Sequence, residues 1–86
     1  MTQAGSGFTM SSRDTLARNL RLLRVARGLS QEALADGASI ARSYVSALER
    51  ANYSASVDRL DKLAHELGVE THVLLMKDLP PEALKA

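Results

Sequence analysis

The chain of 86 residues has no cysteine, only two prolines, and 3% aromatic side chains. The lack of cysteine excludes a disulfide framework, a thiolate metal site and a cysteine nucleophile, so aliphatic packing has to stabilise the fold. No apolar run approaches the roughly 18 residues that a membrane span needs, and the N-terminal residues lack the pattern of a secretory signal. These absences predict one small cytoplasmic domain that does not enter a membrane.

Residues that bind metals or catalyse reactions are also scarce. The two histidines, His65 and His72, are separated by a chain turn at Gly68 and have no third ligand near them in the sequence. The carboxylates of residues 58–66 alternate with basic side chains, as on a solvated helix, and a chain this short can hardly form a catalytic cleft. We therefore expect no metal site, no cofactor and no enzymatic activity.

The net charge of +1 is the sum of two unlike halves. Residues 13–50 carry seven arginines against four acids, a net +3, whereas residues 51–86 carry four bases against six acids, a net −2. All bases of the first half are arginine, whose guanidinium fits phosphate and the edge of guanine. The asymmetry is compatible with nucleic-acid binding, but an asymmetry of this size is also common by chance, and such arginines more often form a solvated face.

Apolar residues recur at helical spacing through most of the chain, which predicts an all-α fold. Residues 1–11 are rich in Gly, Ser and Thr and are expected to form a mobile tail. The first helix is expected to begin with Ser12 as its N-cap and to end at Gly28. Ser30 and Ser56 are the expected N-caps of the second and fourth helices.

The third and fifth helices are predicted to be short. The third helix is expected over residues 42–50, and the fifth is expected to be capped by Thr71. Residues 79–86 are expected to form a tail or one last helical turn. The pattern thus predicts five helices in a domain that spans residues 12–78.

The second and third helices follow each other after about four residues, which is the spacing of a helix-turn-helix. The outer side of the third helix carries short or basic side chains, whereas a solvated face usually mixes Glu with Lys. A helix that lies in a DNA groove needs short side chains for close approach, hydrogen-bond donors for base edges, and arginine for phosphate or guanine. The third helix is therefore the candidate recognition helix.

Three segments carry a resemblance to a known family: residues 29–35 (LSQEALA), 40–50 (IARSYVSALER) and 60–69 (LDKLAHELGV). Together they resemble the phage-repressor family of helix-turn-helix proteins, which includes Cro and the xenobiotic-response-element regulators. The resemblance covers about residues 16–76. It implies a five-helix, lambda-repressor-like domain that binds double-stranded DNA and regulates transcription, usually as a homodimer on an inverted repeat.

The resemblance also implies which residues contact DNA. Arg42, Ser43, Ser46 and Ala47 match the base-facing positions of the recognition helix, and Arg42 is the strongest candidate for a two-pronged contact with guanine. The positions that match contacts to the DNA backbone precede and follow that helix: Ser30, Gln31, Arg50, Asn52 and Tyr53.

Other positions are expected to stabilise the domain or depart from the family pattern. The resemblance implies a structural ion pair between Arg24 and Glu49. Ser39 stands where glycine is usual and a left-handed backbone is required, Ala41 stands where a capping Ser or Thr is usual, and Ala51 replaces a loop glycine.

The end of the predicted fold is very apolar, which is typical of an interface. Leu22 and Val25 are also expected to face solvent. We expect a homodimer interface rather than simple closure of the core at four consecutive residues: Val73, Leu74, Leu75 and Met76. An antitoxin or protein-interaction module that uses the same fold to hold a partner protein is the alternative function.

Overall fold

A computed structural model describes residues 10–85, and within that range the regular structure is entirely helical. The elements are four α-helices and two 3-10 helices, in the order α1 (Ser12–Ala26), α2 (Gln31–Ala38), α3 (Arg42–Glu49), α4 (Val57–Leu67), a first 3-10 helix (Thr71–Leu75) and a second 3-10 helix (Pro81–Leu84). The predicted all-α class is confirmed. The tail was predicted over residues 1–11, and residues 1–9 of it lie outside the described residues.

Serine side chains start three of the four α-helices. The N-cap of α1 is Ser11 and not Ser12, because Asp14 completes a capping box with it: the Asp14 amide donates to Ser11 Oγ at 3.1 Å, and the Ser11 amide donates to the Asp14 carboxylate at 3.4 Å. Ser30 and Ser56 cap α2 and α4 as expected. Each cap satisfies an amide that the helix itself leaves without a partner.

The predicted count of five helices is not confirmed, because the expected fifth helix forms only a 3-10 helix of five residues, Thr71–Leu75. Its bonds run from i+3 to i, from the Val73 amide to the Glu70 carbonyl and from the Met76 amide to the Val73 carbonyl. Thr71 does not cap it: the Thr71 hydroxyl donates instead to Asp61 of α4 at 2.6 Å.

The core lies where α1, α2, α3, α4 and the first 3-10 helix meet. It is almost purely aliphatic, and its fully buried members come from all five elements: Leu20, Leu23, Leu34, Val45, Leu48, Leu63, Leu67 and Leu74. Leu79 and Ala83 pack against the outside of this core. Residues 79–86 were expected to form a tail or one last helical turn, and the structure has a 3-10 turn at Pro81–Leu84 that contacts α1.

Arg21 of α1 and Arg27, the C-cap of α1, donate hydrogen bonds to carbonyl groups at the ends of other elements. Arg27 donates to the carbonyls of Leu67, Ala83 and Lys85 at 2.9, 2.8 and 3.1 Å. Arg21 donates to the Glu49 carbonyl at 3.3 Å, at the end of α3. The last carbonyls of a helix have no partner within it and carry a partial negative charge, so these guanidinium groups stabilise the packing of the elements on α1.

The longest helix in residues 10–85 falls short of what a membrane crossing requires in length and apolar character.

Candidate DNA-binding surface

The recognition helix α3 buries one side and exposes the other. Val45, Leu48 and Glu49 are buried against α1 and α2, and the opposite side carries the four predicted base-reading residues. Arg42 and Ser43 are exposed, and Ser46 and Ala47 are half-buried. Because Glu49 is the only acid of α3 and is 6% exposed, the outer face of this helix is small and basic and has no carboxylate.

The Glu49 carboxylate accepts hydrogen bonds from side chains of two other helices, α1 and α2. The Arg24 Nε donates to Glu49 Oε2 at 2.6 Å, and Arg24 Nη2 donates to Oε1 at 3.0 Å, which is a two-pronged ion pair. The side chains of the two residues are 15% and 4% exposed. The hydrogen bond to Glu49 raises the pKa of Arg24 above its already high ordinary value, so the guanidinium stays charged at neutral pH. The pair fixes the orientation of α3 relative to α1.

Gln31, expected to contact the DNA backbone, also joins this network. The Gln31 Nε2 donates to Glu49 Oε1 at 3.1 Å, and Arg24 Nη1 donates to the Leu29 carbonyl at 2.8 Å. The start of α2 is thereby fixed relative to the recognition helix. Ser30, next to it, is exposed and accepts from the Ala33 amide at 2.9 Å, so its hydroxyl proton is still available for donation.

Two of the predicted contact residues are joined on the surface of α3. Arg50 Nη1 donates to Ser46 Oγ, one helical turn earlier. The guanidinium of Arg50 thus lies on the outer face of the recognition helix, beside Ser46. Asn52 and Tyr53 follow in an exposed turn, where Ala51 takes the left-handed conformation with φ of 58°.

The recognition helix begins without a side-chain N-cap, as the sequence predicted. Ser39 adopts the left-handed conformation, with φ of 58° and ψ of 44°. Ala41 is the N-cap of α3 and provides no side-chain acceptor. Amide N–H groups in the first turn of α3 are therefore left for solvent or for a ligand.

Beside α3 lies a groove that the sequence interpretation missed. We call it the α3–α4 groove; it is lined by the turn residues Ile40 and Ala41, by Ser43, Tyr44 and Ala47 of α3, by Tyr53, and by Arg59 and Lys62 of α4. The Tyr44 and Tyr53 rings meet edge to face with their centroids 5.4 Å apart. The Arg59 guanidinium lies over the Tyr44 ring, 4.8 Å from its centroid.

Arg59 and Lys62 were interpreted only as parts of a solvated helix. In the structure they add two cations to the side of the recognition helix. The only local signal is that both lie on α4, the helix that follows the loop after α3, with Arg59 in its first turn and Lys62 at its middle. Their position depends on how α4 packs against α2, which sequence periodicity does not determine.

The predicted dimer interface, residues 73–76, is wrong at one residue, Leu74. Leu74 is fully buried in the core and cannot contact a second chain. Leu75 is 44% exposed, while Val73 and Met76 are half-buried. Leu75 lies in an apolar groove together with Leu16, Ala55 and Leu60. The 3-10 geometry explains the correction, because its repeat of three residues turns Leu74 inward and Leu75 outward.

A second apolar patch lies on α1. Leu22 and Val25 are 42% and 62% exposed, as the sequence predicted. Leu84 of the second 3-10 helix lies near Leu22, and the two residues line one shallow groove with Leu79. Within residues 10–85, no three His, Asp or Glu side chains converge as metal ligands would.

The architecture and the surface of α3 agree with comparisons to known proteins. The family model named HTH_3, described as Helix-turn-helix, matches residues 20–74. A "Neisseria hypothetical transcription factor" from Neisseria meningitidis is 44% identical over 73 residues, which cover 85% of this chain and 67% of that protein. The immunity repressor protein of Bacillus phage phi105 is 31% identical over 61 residues, and the matched region is 42% of its length.

Solved structures show the same fold. The crystal structure of the hypothetical transcription factor NHTF from Neisseria matches with a TM-score of 0.75 and 42% identity, over 84% of this chain and 79% of that one. The restriction-modification controller protein C.AhdI from Aeromonas hydrophila matches with a TM-score of 0.70 and 40% identity, over 72% of this chain and 94% of that one.

The chain therefore belongs to the helix-turn-helix family of DNA-binding transcription regulators. The resemblance inferred from the three sequence segments is confirmed.

Proposed function

We propose that the protein binds an inverted-repeat operator as a homodimer, with α3 of each protomer in the major groove. The observation that carries this proposal is the outer face of α3, whose exposed side chains are small or basic while its one acid is buried against Arg24. A face of this composition allows close approach to base edges and attracts phosphate.

The residues divide into base-reading and backbone-positioning groups. Arg42 is exposed in the first turn of α3, where a guanidinium can reach the O6 and N7 atoms of guanine. Ser43, Ser46 and Ala47 complete the base-reading face. The phosphate contacts come from both ends of the helix-turn-helix: Ser30, Gln31, Arg50, Asn52 and Tyr53.

Dimerisation follows from size as well as from surface chemistry. One recognition helix contacts too few base pairs to select a site in a genome. Leu75 is the exposed leucine in an apolar groove of residues on α1, α4 and the preceding loop. We propose that Val73, Leu75 and Met76 form the two-fold interface, in which the same groove is used by both protomers.

Selection of bound sequences from random DNA tests operator binding. We expect an enriched inverted repeat whose half-site centres are about one helical turn apart, and an affinity that falls steeply with salt. Arg42→Ala should lose discrimination at one or two base pairs per half-site, about 1 to 3 kcal/mol at each. Lys77→Ala removes an exposed charge outside α3 and should keep the base preference.

A uniform loss of affinity in Arg42→Ala, with the base preference unchanged, would make Arg42 a phosphate contact. Failure to enrich any sequence would contradict the proposed function itself.

The oligomeric state tests the proposed interface. Leu75→Glu should yield a folded monomer with much weaker operator binding, because a carboxylate replaces the apolar side chain at a two-fold contact. Val25→Glu places the same charge on the other apolar patch and should remain a dimer. An unchanged mass in solution for Leu75→Glu would contradict the interface.

A second candidate function rests on the patch of Leu22, Val25 and Leu84. Exposed apolar patches mark contact surfaces, and this one is separate from the residues proposed to bind DNA. In that case the domain holds a partner protein, as an antitoxin or adaptor does. Loss of a co-purifying partner in Val25→Glu, with operator binding absent in the wild-type protein, would favour this function over the first.

A further inference from the structure

The first 3-10 helix, which carries Leu75, is bonded to α1 through one buried polar side chain. Asn19 of α1 is fully buried. Its Nδ2 donates to the Leu74 carbonyl at 3.0 Å and to the Met76 carbonyl at 2.7 Å. Both hydrogens of the amide group are therefore used, and both bonds go to main-chain atoms of the residues on either side of Leu75.

Arg18 fixes the direction in which this amide group points. Arg18 Nε and Nη2 donate to Asn19 Oδ1 at 3.3 and 3.2 Å. The amide oxygen is thereby bound to the guanidinium, and the NH₂ group is left for the two carbonyls. Arg18 also donates to the carbonyls of Met76 and Lys77. Two neighbouring side chains of α1 thus bind three main-chain carbonyls in and just beyond the first 3-10 helix.

These bonds determine how the first 3-10 helix is oriented. A 3-10 helix of five residues needs contacts with other elements to keep one orientation. Leu74 provides an apolar contact, because it is fully buried in the core. One buried side chain leaves the segment free to rotate about it, whereas hydrogen bonds to two carbonyls on either side of Leu75 remove that rotation. The direction in which Leu75 points therefore depends on Asn19.

We propose that Asn19 is a positioning residue for the homodimer, and that its amide group orients the first 3-10 helix so that Leu75 faces the second copy of the chain. This inference rests on the proposed homodimer and deepens it. Asn19 is buried and cannot contact the second copy itself, so its effect on dimerisation passes through the backbone of residues 74–76.

Asn19→Leu tests this role, because leucine has a similar shape and cannot donate to the two carbonyls. Sedimentation equilibrium of the full chain, under conditions in which each variant is folded, measures the dimer dissociation constant. We expect this constant to rise about tenfold to thirtyfold, which is the value of two hydrogen bonds in the population of the bonded orientation. The apparent dissociation constant rises in proportion as the population of the binding-competent orientation falls.

Val45→Ala is the matched control for lost stability. Val45 is a buried residue of α3, a helix outside the proposed interface, and its truncation lowers the free energy of unfolding by leaving a cavity. Urea unfolding measures the loss of stability in both variants. Val45→Ala should keep the dimer dissociation constant within about twofold of the wild-type value. A rise equal to that of Asn19→Leu would indicate general loosening of the domain and would contradict the inference.

Arg18→Ala decides the question if Asn19→Leu does not fold. Arg18 is half-buried, and its loss removes the bonds that orient the Asn19 amide group, so the dimer dissociation constant should rise about fivefold. Arg21→Ala removes an exposed arginine of the same helix that donates to the end of α3 instead. This control should dimerise as the wild type does.

The outcomes separate the inference from the homodimer on which it rests. A wild-type protein that is monomeric, or a Leu75→Glu variant that remains dimeric, contradicts the proposed interface, and the inference falls with it. A wild-type dimer that Leu75→Glu dissociates, combined with unchanged dissociation constants in Arg18→Ala and in folded Asn19→Leu, contradicts the inference alone.

Discussion

Replacement of Arg24 by alanine is expected to destabilise the domain and not to remove a DNA contact. The Arg24 side chain is 15% exposed and makes three hydrogen bonds, two to the Glu49 carboxylate and one to the Leu29 carbonyl. The Glu49 side chain is 4% exposed. After the substitution, Gln31 is the one remaining side chain, among the described residues, that donates a hydrogen bond to its carboxylate. A nearly buried charge would be left without its counter-ion.

The loss can be estimated from the burial of the pair. Removal of one partner of a buried ion pair costs about 3 to 5 kcal/mol. A domain of this size has a free energy of unfolding of about 4 to 13 kcal/mol. Arg24→Ala should therefore lower that free energy by a large fraction. Replacement of both partners by apolar side chains, in Arg24→Met with Glu49→Leu, leaves no stranded charge and should recover most of the stability.

Urea unfolding followed by helical circular dichroism measures these differences. We expect a strongly lowered midpoint for Arg24→Ala and a midpoint near that of the wild type for the double variant. A normal melting temperature of Arg24→Ala combined with lost DNA binding would refute the reasoning, because Arg24 would then act at the DNA surface. The raised pKa of Arg24 means that its own charge adds no pH dependence near neutrality.

Two further predictions concern the left-handed turn at Ala51 and the C-cap of α1, Arg27. Ala51→Gly should raise the free energy of unfolding by about 0.5 to 1 kcal/mol, measured by the same urea titration. The left-handed φ of 58° costs an alanine about 1 to 2 kcal/mol, and the greater freedom of glycine in the unfolded chain offsets part of that gain. An unchanged or lowered midpoint would mean that the turn is not strained. Arg27→Ala should cost about 2 kcal/mol, because three carbonyls at the ends of α4 and the C-terminal segment lose a charged donor. Arg13→Ala, at an exposed position of α1, is its control and should change the midpoint little; equal effects of the two would show that the carbonyl contacts of Arg27 add no stability.

Features encoded by neighbouring residues could be predicted from the sequence. The caps Ser30 and Ser56 each precede an apolar period of 3.6 residues, and Gly68 stops α4 with a φ of 73°. The left-handed turn at Ser39 followed from the family pattern. The N-cap of α1 was displaced by one residue because Ser11 and Ser12 are both capping types, and only the position of Asp14 relative to Ser11 selects between them.

Features that depend on how distant elements pack could not be predicted in the same way. A run of four apolar residues at 73–76 does not reveal which of them turns inward, and the 3-10 geometry buries Leu74 and exposes Leu75. Arg27 is the C-cap of α1, and its three carbonyl partners lie 40 or more residues away along the chain. Arg59 joins the surface beside α3 only through the packing of α4.

The most direct test of the central claim is a titration of the isotopically labelled protein with the selected operator, followed by amide chemical shifts in NMR. The account predicts the largest changes in α3, above all at Ser43, Ser46 and Ala47, with further changes at the start of α2, and little change at Leu22 and Val25. Changes centred on Leu22 and Val25, with the amides of α3 unaffected, would contradict it.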